Sequence, residues 1–202
     1  YRPSLVHKRP VKVCYITGAY EWIGDTLGED FQRRKIANLV EFARVHQDVI
    51  NVTIRVHPRE PKDKYERLIQ QHPHILLEYY NPQGNIFEDL EKHDIVIGTV
   101  SQVMYDSILM DKLAIFYLLS EEIERYEKFF QEVGLKPVRS FKEVVNLIEM
   151  TLTGETMFLK EYKAAQRSAV QKIIYLPEVK PSEMIAKHIY NLLLQGKLAD
   201  EC

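Results

Sequence analysis

The sequence predicts an α/β fold: a Rossmann-like three-layer α/β/α domain around a mostly parallel sheet of five or six strands. Three observations predict it. Short apolar runs alternate with stretches of helical periodicity along the chain. The runs are hydrophobic at consecutive positions, as expected of strands covered on both faces. No internal repeat or low-complexity segment interrupts the alternation. Such alternation implies parallel strands joined by right-handed crossovers, with helices on both faces.

The elements follow in order. Val11 to Thr17 (VKVCYIT) is β-branched and aromatic and reads as a buried strand. Gly18 to Asp30 reads as a loop with three glycines and four acidic residues, with Glu29 and Asp30 capping the helix that follows. That helix carries Ile36, Leu39, Val40 and Ala43 on one stripe. Asn51 to Val56 is a second strand. Pro61 opens a helix where its missing N–H costs nothing, with Tyr65, Leu68 and Ile69 as the apolar stripe. His74 to Leu77 is a short third strand, and Glu78 to Gly84 a loop. Ile86 to Glu91 is a short helix, and Asp94 to Gly98 a fourth strand. Ser101 to Met110 is a helix, Asp111-Lys112 its turn, and Leu113 to Leu118 a fifth strand. Glu121 to Val133 is a charged helix stopped by Gly134. Pro137 to Arg139 is a candidate sixth strand. Helices then carry Phe141, Val144, Val145, Ile148 and Leu152, span Thr156 to Gln171, and carry Met184, Ile185, Ile189, Leu192 and Leu193 before Gly196. The expected domains are a linker over 1–10, a Rossmann-like domain over 11–154, and C-terminal helices over 155–202 covering that same domain.

Composition narrows the function classes. The 202 residues hold 27 Lys+Arg against 29 Asp+Glu, a formal charge of −2. A general nucleic-acid binder is usually basic, so that class is disfavoured, although a small basic pocket is allowed. Two cysteines make no disulfide scaffold, and a reducing compartment is the simpler reading. The longest apolar run, Leu113 to Leu119, has seven residues, against roughly 20 for a transmembrane helix. No signal peptide stands at the start. No Cys/His cluster has metal-ligand spacing, and neither a phosphate-binding glycine fingerprint nor a nucleophile elbow is present.

In a parallel sheet, ligands bind beyond the carboxyl ends of the strands. His57-Pro58-Arg59 leaves the second strand there. His57 can donate to a phosphate or protonate a leaving oxygen, and Pro58 stiffens the backbone beside it. The plainer reading is a histidine capping a turn and a solvated Arg59. Gly98-Thr99-Val100-Ser101 leaves the fourth strand and opens a helix. Free N–H groups with the hydroxyls of Thr99 and Ser101 make an anion cradle, or simply an N-cap. Asp106, further into the same helix, can orient a neighbour or lie solvated. Tyr79, Tyr80 and Asn81 are candidates for base or ribose contacts, because an aromatic face stacks on a base with roughly 1–3 kcal/mol. A tyrosine pair at a core rim is the alternative.

The stretch Asp94 to Tyr117, DIVIGTVSQVMYDSILMDKLAIFY, resembles the late signature of the CDP-glycerol glycerophosphotransferases of teichoic acid synthesis. It is also similar to that of bacterial capsule and sialic-acid transferases. The upstream Arg55-Val56-His57-Pro58 is similar to the strand-then-His-Pro motif of the same group, so the resemblance covers about Thr53 to Tyr117. It implies the carboxyl-terminal, donor-binding half of a GT-B glycosyltransferase. It also implies donor-phosphate contacts by His57, Thr99 and Ser101, with Arg59 beside them and His57 as the catalytic group. The consecutive hydroxyls common in the family are split here by Val100, and the often acidic position before the turn is Gly98.

The implied reaction is metal-independent transfer of a sugar or polyol phosphate from a CMP-, CDP- or UDP-activated donor. No cofactor is implied. The helix N-terminus, Ser101 and a cationic His57 would stabilise the departing phosphate, one such donor contributing roughly 10²–10³ in rate. The implied partners are that donor, a polysaccharide or lipid-linked acceptor, and an N-terminal domain of the same protein carrying the general base. Nucleic acid is not among them. The start at Tyr1 then reads as a cut between two domains. The implied location is cytoplasmic, with peripheral contact at the inner face of the membrane left open. A UDP-sugar epimerase of the same architecture and a non-catalytic flavodoxin-like binding module stand as alternatives.

Overall fold

The computed structural model describes residues 9–173 apart from positions 22, 80, 82 and 83. The helix expected over residues 184–196 and the candidate contact Tyr80 lie outside the described residues. The chain divides into units at residues 1–170 and 171–202, and the fold below is that of the first.

Five strands form one sheet: β1 (Val11–Ile16), β2 (Ile50–Val56), β3 (Ile75–Tyr79), β4 (Ile95–Gly98) and β5 (Leu113–Phe116). All four pairings are parallel, in the order β3-β2-β1-β4-β5. That is the Rossmann order 3-2-1-4-5-6 as far as its fifth strand, and it differs from the flavodoxin order 2-1-3-4-5. The flavodoxin-like arrangement is therefore not the topology of this chain. The expected sixth strand reduces to one bridge. Leu118 N–H donates to Val138 at 3.0 Å and Val138 N–H to Phe116 at 2.9 Å. Pro137 has no N–H with which to extend a ladder.

The helices are α1 (Thr26–Val45), α2 (Glu66–Gln71), α3 (Ile86–Glu91), α4 (Gln102–Leu109), α5 (Ser120–Val133), α6 (Phe141–Thr153) and α7 (Thr156–Ile173). α1 starts earlier than its acidic run suggested. Its cap is Asp25, which accepts Gly28 N–H at 3.0 Å, so Glu29 and Asp30 lie inside the helix. Pro61 precedes a 3-10 turn, Lys62–Tyr65, that leads into α2. β3 runs on through Glu78 and Tyr79, residues expected in a loop. α5 and α6 end on Gly134 and Gly154 at φ 76° and 71°, backbone that glycine adopts without a Cβ clash.

One sheet face carries Val13, Tyr15, Val52, Ile54, Ile97 and Ile115, packed in one core cluster with Ile36, Leu39 and Val40 of α1 and Val144 and Ile148 of α6. Alternation sends Cys14, Arg55, Glu78, Val96 and Phe116 to the other face. There Phe116 meets Tyr105 of α4 and Phe130 of α5, ring centroids 6.1 and 5.5 Å apart. Toward β3 that face turns polar. Arg55 Nη1 donates to Asp89 of α3 at 2.7 Å and lies 3.1 Å from Glu78. A buried ion pair, Lys35 to Glu122 at 2.5 Å, ties α1 to α5, and Glu122 also accepts Leu119 N–H at 2.8 Å. Among the described residues no helix is long and apolar enough to cross a membrane.

Candidate functional site at the carboxyl edge of the sheet

Strand order places the crevice. The chain runs outward from β1 through β2 to β3, then returns to β4 on the other side of β1. The switch point therefore lies between β1 and β4, and ligands favour the carboxyl ends there. Thr17-Gly18 leaves β1 and Thr99-Val100-Ser101 leaves β4 at this place. The Tyr20 hydroxyl and Thr99 Oγ1 meet at 3.0 Å and bridge the two loops. The Tyr20 ring leaves no room for a side chain at Gly18 or Gly28, where an added Cβ would lie 2.7 and 2.3 Å from it. Gly98, acidic in the resembled family, has a similar reason here: a Cβ would lie 2.9 Å from Met104 Sδ.

Beside β1, on the β2 side, a cavity of about 260 Å³ opens between Thr17, Arg55, His57, Pro58, Val103 and Asp106. It is smaller than the roughly 300–1,000 Å³ of a typical small-molecule pocket, and suits a phosphate or one sugar ring rather than a whole nucleotide. His57 lines it. His57 Nδ1 accepts Arg59 N–H at 3.1 Å, so the plainer reading of a turn-capping histidine describes half of the ring. With Nδ1 an acceptor, the neutral ring carries its proton on Nε2 and can donate from there. Burial pulls the His57 pKa below its ordinary value against the pull of Glu60, and Arg59 adds to the lowering. The ring is accordingly neutral near pH 7, not the cation the resemblance implied.

The other expected residues spread around this edge. Ser101 is the N-cap of α4, yet its Oγ is buried and makes no hydrogen bond. Thr99 is committed to Tyr20. Asp106 borders the cavity and accepts from Gln102 Nε2 at 3.1 Å. Arg59 is exposed and is not among the residues lining the cavity. Tyr79 ends β3 with 37% of its surface exposed, and Asn81 accepts Gly84 N–H through its carbonyl at 2.9 Å. β1 lies between β2 and β4, so the strands leading to His57 and Ser101 are about 10 Å apart, twice the interstrand spacing. A diphosphate with its attached group can bridge such a span, and a lone phosphate cannot.

One cluster escaped the sequence. Glu60 is buried and accepts from Gln32 Nε2 at 3.0 Å, the Tyr65 hydroxyl at 2.9 Å and Lys64 Nζ at 2.7 Å, while the Thr17 hydroxyl donates to its other oxygen. Thr17 Oγ1 in turn accepts His57 N–H at 2.7 Å, and Gln32 Oε1 accepts Gly18 N–H at 2.6 Å. Burial opposes the charge on Lys64, but hydrogen bonds to Glu29 and Glu60 outweigh it and hold its pKa above the ordinary lysine value. Burial, then the Glu60 charge, pushes the Tyr65 hydroxyl pKa up, so it stays a donor. The cluster locks the ends of β1 and β2 together from below. The one signal for it was a carboxylate three residues past His57, at a strand end.

No protein-family model matches the chain, and no curated protein matches it. Among solved structures the chain is similar to Thermosulfurimonas dismutans KpsC, a beta Kdo 2,4 transferase, at 18% identity and a TM-score of 0.37. The likeness covers 58% of this chain and 37% of that one. The fold assignment rests on the sheet itself: five parallel strands, flanked by helices, in Rossmann order.

What the edge can do chemically follows from its donors. It offers the Nε2–H of a neutral imidazole, an unengaged serine hydroxyl and the first N–H groups of α4, whose cap makes no side-chain bond. All of them donate, and donors converge on an anion or a polarised oxygen.

Proposed function

We propose that this domain binds the nucleotide-activated donor of a bacterial surface-polysaccharide transferase, of the CMP, CDP or UDP type. The observation that carries the reading is the buried, unpartnered Ser101 Oγ at the start of α4, beside the switch point and across β1 from His57. A buried hydroxyl without a partner is costly, and an anion seated on the helix N-terminus would engage it. The motif resemblance supplies the donor class.

In this reading the donor phosphates span from Ser101 and the α4 N-terminus to His57. Negative charge grows on the phosphate as its bond to the transferred group breaks. The helix N–H groups and Ser101 stabilise that charge, and His57 Nε2–H donates to the leaving oxygen. The dianion raises the imidazole's proton affinity just when a proton is needed. The acceptor hydroxyl and its general base come from a second domain facing this edge. No divalent ion takes part at this site. A cytoplasmic position, where activated nucleotides are made, accords with that role.

Titration with CMP, CDP, UDP and ADP tests the proposal. One pyrimidine nucleotide is expected to bind, with His57→Ala and Ser101→Ala each weakening it about tenfold, the loss of roughly 1.4 kcal/mol that a hydrogen bond to a charged group represents. Affinity is expected to be the same with and without Mg²⁺ or Mn²⁺. No binding of any nucleotide, or wild-type affinity in both folded variants, overturns the assignment.

A further inference from the structure

Three residues far apart in sequence come together on the polar part of the second sheet face. Cys14 lies mid-β1, Glu78 near the end of β3, and His93 just after α3. One potential ligand atom from each lies within 4.8 Å of the other two. Cys14 is fully buried and free, His93 is buried, and Glu78 is half-buried.

The hydrogen count in this cluster does not close. His93 Nδ1 contacts the Asp89 carbonyl at 3.0 Å, and a carbonyl only accepts, so Nδ1 holds the ring's proton. With that proton on Nδ1, the neutral ring presents a lone pair at Nε2. Glu78 Oε2 is buried and makes no aligned hydrogen bond; its ion-pair partners are Arg55 Nη1 at 3.1 Å and Lys92 Nζ, 3.8 Å from the other oxygen. The aligned bond of that guanidinium nitrogen goes to Asp89 Oδ2 at 2.7 Å. Among sulfur, imidazole nitrogen and carboxylate, the only hydrogen is the thiol's. Three electron-pair donors converge with one proton between them, a set that one metal ion can bridge.

We propose that Cys14, Glu78 and His93 bind a single zinc ion. Thiolate, imidazole and carboxylate are the ligand types zinc takes, at about 2.0–2.3 Å. Tetrahedral ligand atoms then sit roughly 3.5 Å apart, so from separations within 4.8 Å the cluster contracts by about 1.3 Å at most on binding. The Asp89 carbonyl already fixes the imidazole in the tautomer that leaves Nε2 free, the arrangement found behind metal-bound histidines. Zinc with one thiolate and one carboxylate is electrically neutral, which limits the cost of burial. Arg55 keeps Asp89 as its partner when Glu78 turns to the metal. Glu78 and His93 line a cavity of about 380 Å³ with Thr53 and Lys92, and this cavity gives the ion an entry path and a water its fourth position. On binding, the S–H bond breaks, the sulfur–zinc bond forms and the proton leaves to solvent. The ion would pin edge strand β3 to the central strand, away from the donor-binding edge.

The full chain, stripped of metal, is titrated with Co²⁺ alone as a coloured substitute for zinc. One equivalent is expected to produce a thiolate-to-cobalt charge-transfer band, and added Zn²⁺ to erase it. Cys14→Ser should abolish the band, and Cys202→Ser should leave it unchanged. Glu78→Gln and His93→Gln should each weaken uptake at least roughly tenfold. Circular dichroism checks each variant's fold, and the two side-chain amides carry the test if the serine variant does not fold. The proposal is overturned by absence of saturable uptake, by uptake without the band, by a band that survives in Cys14→Ser, or by unchanged affinity in both amide variants.

Discussion

A threonine hydroxyl has one proton to give and lone pairs to receive with, and Thr17 uses both. It donates to buried Glu60 and accepts the His57 N–H at 2.7 Å. Thr17→Val keeps the shape and strands both partners, so we expect a loss of about 1–3 kcal/mol in urea unfolding. Under the proposed function nucleotide affinity should fall as well, because His57 loses its anchor. His57 itself sets a pH dependence. Burial depresses its folded pKa below the unfolded value of about 6.5, so below that value the unfolded chain binds more protons. Its stabilising contribution is complete above pH 6.5 and is lost as pH falls toward the folded pKa. The urea midpoint should drop less between pH 7.5 and 5.5 in His57→Gln than in the native chain. His57 and Ser101 were legible in the sequence because each follows an apolar strand directly. Gln32, Glu60, Lys64 and Tyr65 were not, because each looks ordinary in its own helix or loop, and the bonds that join Glu60 to Gln32 and to Thr17 cross 28 and 43 residues.

Between elements, the Lys35–Glu122 pair is a buried tie between α1 and α5. Both side chains are almost fully buried, 1% and 3% exposed. Burial pulls the Lys35 pKa down, and the Glu122 charge holds it up in part. Removing one partner leaves an uncompensated charge in the interior, so Glu122→Gln should cost about 3–5 kcal/mol. The double change Lys35→Met with Glu122→Leu should recover most of that loss, because apolar packing replaces the pair without the desolvation cost. A denaturant series on the three variants reads both effects, and equal losses in the single and double variants would falsify the account. Element identity was legible here, and element ends were legible only where one residue decides. Gly134 stops α5 because it alone adopts φ 76° cheaply. The start of α1 was misread because three carboxylates compete for the cap, and only the backbone shows that Asp25 holds it. The Lys35–Glu122 pair gave no signal, since lysine and glutamate normally face water.

For the whole molecule, alternation of strands and helices foretold a parallel three-layer sheet, and the structure has one. Strand order was beyond the sequence, because any order satisfies the same hydrophobic pattern. The order is decided by contacts such as Lys12 with Asp94, whose backbone and side-chain bonds at 2.8 and 2.9 Å join positions 82 residues apart. That same order gives the switch point and hence the candidate site. It also sets a timetable. β1, α1 and β2 are neighbours in the chain and can dock early, at a modest loop-closure cost. From edge strand β3 the chain must then return across β2 and β1 before β4 closes on the far side of β1. Pulse-labelled hydrogen exchange during refolding should therefore protect amides shared by β1 and β2 before those shared by β1 and β4. A chain emerging from the ribosome would hold His57 in place, anchored on Thr17, while Ser101 was still being threaded out. The crevice between them would come into being only once β4 has closed on β1, so its two walls meet late although one of them stands early.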